Sequence, residues 1–299
     1  MLLSKEQYFR ELKRTPSISW PALGLFLLGI TILVVATRMA AAGTLPLWAA
    51  MLINGVGLYL LFSTMHEALH RNVSANSSLN EALGRVSLFL LIPAAPIEIA
   101  RWAHFRHHRF TSGSQDPDNF IHQATWWQAP LRWSNFDLYY LYIFLRDGGE
   151  ERRRRAPGLI AAAVVFAVVV ITMTYIGYGT EVLFLWILAS RIGLALVAVV
   201  FVFLPHYPAK ITAKENEYQA TTIRKGCEWL LTPLFVYQNY HLIHHLYPTM
   251  PFYNYIKVWH LKYDELIAEN PAIQKGFGLM PVNHALNQPD DSAGKSGSQ

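Results

Sequence analysis

Four blocks of the 299-residue chain carry apolar residues almost without interruption, and polar stretches separate them. They run from about Pro21 to Ala41, Leu45 to Met65, Gly158 to Ile176 and Val182 to Leu204. A hydrocarbon core about 30 Å thick is crossed by roughly 20 helical residues, so each block is long enough to span a bilayer. A fifth apolar stretch, about Leu83 to Ala100, contains Pro93, Pro96 and Glu98 and reads as an interfacial or re-entrant segment. Before the first block, Ser4 to Trp20 reads as a short polar-faced surface helix. Its charges precede a long apolar block with no small-residue cleavage site, so it is not expected to be a signal peptide. From about Gln288 the chain is rich in Ser, Gly and Asp and is expected to be disordered. The pattern predicts an all-α integral membrane protein. Residues 1–20 form an N-terminal cytoplasmic or interfacial segment, 21–287 the membrane domain, and 288–299 a tail.

Charge supplies the orientation. Basic residues precede the first block, and Arg71, Arg101, Arg106, Arg109 and Arg152 to Arg155 lie between the second and third. Lys210, Lys214, Arg224 and Lys225 follow the fourth. The opposite loops, near Ala42 and Gly179, are very short. By the positive-inside rule, both termini and the long middle segment face the cytoplasm. The net charge of +5 is therefore read as a membrane-orientation signal, and no nucleic-acid partner is expected. Arg191 stands near the middle of the fourth block, where a charge is costly; it calls for a carboxylate or a lipid headgroup, or for a span that begins later than Val182. Trp102, Trp126, Trp127, Trp133, Trp229 and Tyr237 are candidates for an interfacial belt or for the wall of a substrate path. The single cysteine, Cys227, excludes an internal disulfide and a cysteine-ligated cluster, and no nucleophile signature surrounds it.

Composition changes the picture most through histidine. Nine of the twelve fall into a pattern: His66 and His70 in H-E-A-L-H, His104, His107 and His108 in H-F-R-H-H, His206 alone past the fourth block, and His241, His244 and His245 in H-L-I-H-H. Residues three and four apart share a helix face, so each cluster aims its imidazoles one way. At this histidine content, chance gives one H-x-x-H-H about 0.02 times in such a chain, and two far less often. The orientation, read from Arg and Lys alone, puts all nine on one side of the membrane in a helical cap.

Imidazole suits Zn, Cu, Fe and Ni. A structural zinc takes four ligands, so eight or nine are too many for one ion and fit a di-metal site. Iron is the preferred metal, because a site beside a bilayer suits redox chemistry on apolar substrates. Glu67, Asp116, Asp118 and Asn239 are candidates to accept a hydrogen bond from a ligand's outer nitrogen. No catalytic residue beyond the metal ligands stands out. His66-Glu67-x-x-His70 also matches a zinc-protease motif with Glu67 as base, but that reading leaves both H-x-x-H-H clusters unexplained. A metal transporter is a third class, and of the polar midplane residues it needs only Arg191 fits.

The order of these boxes over residues 60–255 resembles the membrane fatty acid desaturase superfamily. F-L-P-H at His206, Gln238 to Tyr253, and the D-P-D of Asp116 to Asp118 are similar to the desaturase-type β-carotene ring hydroxylases. The resemblance implies iron ligation by His66, His70, His104, His107, His108, His241, His244 and His245, with His206 a ninth ligand. It implies O2 as co-substrate and a lipid substrate entering from the bilayer, with a fatty acyl chain ahead of a carotenoid ring. With no cytochrome b5 domain in the chain, the electrons are expected from a separate donor such as ferredoxin or cytochrome b5 with its reductase.

Overall fold

The computed structural model describes residues 3–283, so the tail from Gln288 lies outside the described residues. Among the described residues, four helices are long and apolar enough to cross a membrane: α2 (Trp20–Ala41), α3 (Leu47–Leu69), α9 (Gly149–Tyr175) and α10 (Gly179–His206). Ahead of them α1 covers Lys5–Lys13, closed by a reciprocal cap. The Ser4 hydroxyl accepts from the Gln7 amide at 3.2 Å, and the Gln7 side chain accepts from the Ser4 amide at 2.9 Å. The expected surface helix is therefore shorter than Ser4 to Trp20. Ser19 caps the next helix, with Pro21 in its first turn, so Trp20 already belongs to the span.

The α3 helix is the axis of the bundle. Its crossing with α2 runs through Gly29 and Gly57, where a Cβ on Gly29 would lie 2.9 Å from the Gly57 carbonyl oxygen. Its crossing with α10 runs through Gly55 and Gly193, where a Cβ on Gly55 would lie 2.6 Å from Ile192. Small residues let the backbones close up where lipid offers no hydrophobic drive for helix association. By contrast, α9 has no buried residue. Phe166 rests on Trp186 of α10 at 5.5 Å. The α10 helix widens to π geometry over Leu183–Leu188 and again over Ala198–Phe203, just before His206.

Between the two span pairs lie α4 (Ser77–Leu91), α5 (Ile97–Phe110), the short turns α6 (Asn119–His122) and α7 (Ala129–Ser134), and α8 (Phe136–Asp147). The fifth apolar stretch is thus divided. It ends α4, breaks at Pro93 and Pro96, and resumes as the start of α5, because proline disfavours helix in the residue before it. After α10 come β1 (Thr222–Lys225), α11 (Glu228–Leu234), α12 (His241–Leu246), α13 (Tyr255–Leu261), α14 (Tyr263–Ala268) and β2 (Ala272–Lys275). The β1–β2 pair is parallel, so the all-α expectation needs a small correction. The sheet returns the chain from α14 to the base of α10. Arg224, buried on β1, locks it by donating to the carbonyls of Gly276 and Gly278 at 2.8 and 2.6 Å. Asn72 ties the turn after α3 to the segment after α12 by donating to the carbonyls of Pro248 and Met250 at 3.0 and 3.1 Å.

Candidate metal centre

Helical spacing turns each cluster to one side, and four elements bring the clusters together. His66 lies in the last turn of α3, and His70 caps it. His104, His107 and His108 share α5, His206 ends α10, and His241, His244 and His245 lie on α12. All nine meet. His66, His70, His104 and His244 form one set, and His107, His206, His241 and His245 another, each with ligand atoms within 4.8 Å of one another. His108 joins the first set, with its Nε2 3.1 Å from that of His104 and 3.0 Å from that of His244.

The outer nitrogens fix the ring orientations. His206 Nδ1 donates to the Ala220 carbonyl at 3.2 Å, and His241 Nδ1 donates to Gln238 Oε1 at 2.5 Å. His244 Nδ1 lies 2.9 Å from the Tyr255 hydroxyl, and His245 Nδ1 3.4 Å from the Thr111 hydroxyl. A neutral imidazole that donates from Nδ1 presents a lone pair at Nε2. The Nε2 atoms point inward and close on one another: His70 to His104 at 2.7 Å, His241 to His245 at 3.1 Å and His107 to His245 at 3.3 Å. The Nε2 atoms of His66 and His206 are buried without a hydrogen-bond partner. Burial holds His70, His104, His108, His241, His244 and His245 well below the usual imidazole pKa, so they are neutral at pH 7. Converging lone pairs without protons repel unless a cation stands among them. Metal–nitrogen bonds of about 2.1 Å put neighbouring ligand atoms about 3.0–3.4 Å apart, close to the separations found. The donor set therefore fits two metal ions, with five imidazoles on one side and four on the other.

His107 has a different environment. Its Nδ1 lies 3.0 Å from Asp116 and 3.2 Å from Asp118. Burial works to lower its pKa, but the charges of Asp118 and Asp116 outweigh it and push it up to about 9. Burial raises the Asp118 carboxyl to about 6 against the pull of His107. The D-P-D turn aims these groups, since Asp116 accepts from the amides of Ser112 and Asp118 at 2.6 and 2.9 Å. Asp118 also accepts from the Tyr140 hydroxyl of α8.

The other two expected acceptors differ. Glu67 is buried, and its carboxylate accepts from the Phe252 amide at 3.2 Å while standing 3.8 Å from His66 Nδ1. It latches the segment after α12, which is not the placement of a protease base. Asn239 donates to the Thr232 hydroxyl at 3.0 Å and its Oδ1 has no hydrogen-bond partner, so it serves no histidine. Sequence reasoning passed over Gln238, Tyr255 and Thr111. Gln238 stands three residues before His241, a spacing that offers a signal, whereas Tyr255 reaches His244 only through the fold. It also passed over His122, whose ring lies 5.8 Å from that of His206 with neither nitrogen hydrogen-bonded; burial lowers its pKa to about 4.

An apolar cavity of about 60 Å³ reaches the centre, with His66, His104, His107 and His241 at its metal end. Phe62, Phe136, Tyr140 and Phe201 are its aromatic walls. None of the aromatics put forward from the sequence lines it, and Trp126, Trp127 and Trp229 are exposed as an interfacial belt requires. Arg191 is answered by Asp137 of α8 through paired contacts of 2.8 and 2.9 Å.

A family model described as fatty acid desaturase matches residues 42–276, a range that holds all nine histidines. No curated protein matches the chain.

Proposed function

The chain belongs to the fatty acid desaturase family, and on that premise we propose that it oxidises a hydrocarbon segment of a bilayer lipid, either to an alkene or to an alcohol. A fatty acyl chain is the first choice of substrate. The observation that carries this reading is the inward convergence of nine imidazole Nε2 atoms at the end of an apolar cavity. His66, His70, His104, His108 and His244 would hold one iron, and His107, His206, His241 and His245 the other. When bound, the irons supply the activation of O2 that C–H oxidation needs, with electrons from a separate donor. The protein's part is to fix the ligands, keep water out and hold one C–H against the metal end, where position decides between the two products.

The cavity of about 60 Å³ is lined mainly by apolar side chains, which suits a hydrocarbon segment. The acyl chain stays first because the matching family model is described as fatty acid desaturase. The β-carotene ring hydroxylase is the second reading, supported by Phe203 to His206 and by Gln238 to Tyr253. The distribution of Arg and Lys supports a cytoplasmic metal centre.

Elemental analysis and Mössbauer spectroscopy on protein from cells grown with iron-57 test the core of the proposal. Two exchange-coupled irons per chain are expected. Zinc alone after iron-replete growth would falsify it. Product analysis after expression with fatty acyl or carotenoid lipid pools separates the two substrates.

A further inference from the structure

The histidine centre opens onto two different spaces. The apolar cavity takes one face of the centre, with His66, His104, His107 and His241 in its lining. On another face, His70, His108 and His245 floor an open groove rimmed by Arg71, Arg101 and Arg109, with Phe105 set among them. We infer that this groove is the docking surface of a small acidic one-electron carrier protein. The inference rests on the oxidase reading above.

Stoichiometry demands an external source of electrons. Converting a C–H to an alcohol with O2 consumes two electrons and two protons and releases one water. Converting a CH2–CH2 unit to an alkene consumes the same two electrons and two protons and releases two waters. A one-electron carrier must therefore deliver twice per turnover, to a surface that reaches the metals without crossing the substrate. In the groove, the imidazoles of His70, His108 and His245 are the floor, and these are residues that would hold the two ions.

The rim has the chemistry of a protein contact. Arg71 and Arg109 are exposed, and among the described residues no carboxylate forms a salt bridge with either. Arg71 sits at φ 62°, in a left-handed turn just past the end of α3. Arg101 is set into the wall by Glu81 at 2.7 Å and by the Leu69 carbonyl at 3.3 Å. Phe105 is 46 % exposed in the middle of this positive field. Arginine and aromatic residues are the side chains enriched in protein interfaces, and complementary charge raises association rates. A carrier with carboxylates around its redox centre matches this rim.

The test uses the iron-loaded full-length protein in detergent, with an acidic [2Fe–2S] ferredoxin as probe. Stopped-flow reduction of the irons by ferredoxin is compared with reduction by dithionite, for the native protein, for Arg71→Glu/Arg109→Glu, and for Arg10→Glu as a reversal elsewhere. The double variant is expected to slow ferredoxin reduction on the order of tenfold or more at low salt, in line with electrostatic steering. Iron content and dithionite reduction should stay native, Arg10→Glu should behave as native, and the native ferredoxin rate should fall as salt rises. Unchanged ferredoxin reduction in the double variant overturns the inference. So does equal slowing with dithionite, and so does loss of lipid product with native reduction rates, which would make the groove a headgroup site. Failure to find redox-active iron in the native protein overturns the function itself, a separate result.

Discussion

His107 differs from its neighbours in what faces its outer nitrogen, and that difference is measurable. Two buried carboxylates hold it near pKa 9, whereas burial keeps six other histidines of the centre far below 6.5. Below pH 9 the His107 imidazolium carries an Nε2 proton that a metal ion must displace. Affinity therefore rises as pH climbs towards 9 and flattens above it. Near pH 7, calorimetry of metal binding in buffers of different ionisation heat is expected to show about one proton released from this residue. In Asp116→Asn that release should shrink, with Asp118 still facing the ring, and affinity should fall about 10–100-fold, the usual effect of losing a partner behind a ligand. An unchanged proton count in the variant would remove the role given to Asp116. Replacing His107 or His244 by Ala should abolish loading of two metals and turnover together, which elemental analysis and a product assay read directly. Normal turnover in either variant would sink the ligand assignment.

At the scale of elements, α3 carries the first box and is clamped on both sides. Gly55 meets Ile192, a β-branched side chain with little freedom to move, so Gly55→Val should push α3 and α10 apart. Overpacking of this kind costs about 1–3 kcal/mol. Lower thermal stability in detergent and weaker metal retention should appear together, because the two helices hold His66 and His206. The Arg191–Asp137 pair joins the same span to α8, whose Tyr140 reaches Asp118. Arg191→Leu strands a buried carboxylate and is expected to cost up to about 3–5 kcal/mol, while Arg191→Leu/Asp137→Leu should recover much of it. A double-mutant cycle on unfolding reads the coupling, and additive losses would show that the pair is not a unit.

These elements also show what a sequence reveals. The spans were legible because apolar runs mark bilayer thickness, yet hydropathy missed where helices end. The α9 helix begins at Gly149, nine residues before the apolar block, since Arg152 to Arg155 form an interfacial turn of the same helix. The three boxes were legible because one helical period generates them. Asp137 as the partner of Arg191 was not, and neither were Tyr255 and the cavity walls, because those contacts join residues set by tertiary packing alone.

At the scale of the whole molecule, the centre stands between an apolar cavity and an open basic groove, and Leu69 lines both. Leu69 is 3 % exposed, at the end of α3 between His66 and His70. A buried leucine there stands as a partition between the two spaces. Exclusion of water protects an oxidising site from side reactions, so the partition should govern how much O2 ends in product. Leu69→Ala leaves every ligand in place and opens the partition. It is expected to keep two irons and native reduction by ferredoxin, while the yield of lipid product per O2 falls several-fold and hydrogen peroxide rises to match. Truncating a buried leucine costs about 2–5 kcal/mol, so Leu69→Val serves as a milder companion that should show the same direction with less loss of stability. Parallel measurement of O2 uptake, peroxide and product distinguishes leakage from general damage, since damage lowers all three. Tight coupling in both variants would mean that the two compartments are kept apart by something other than this side chain.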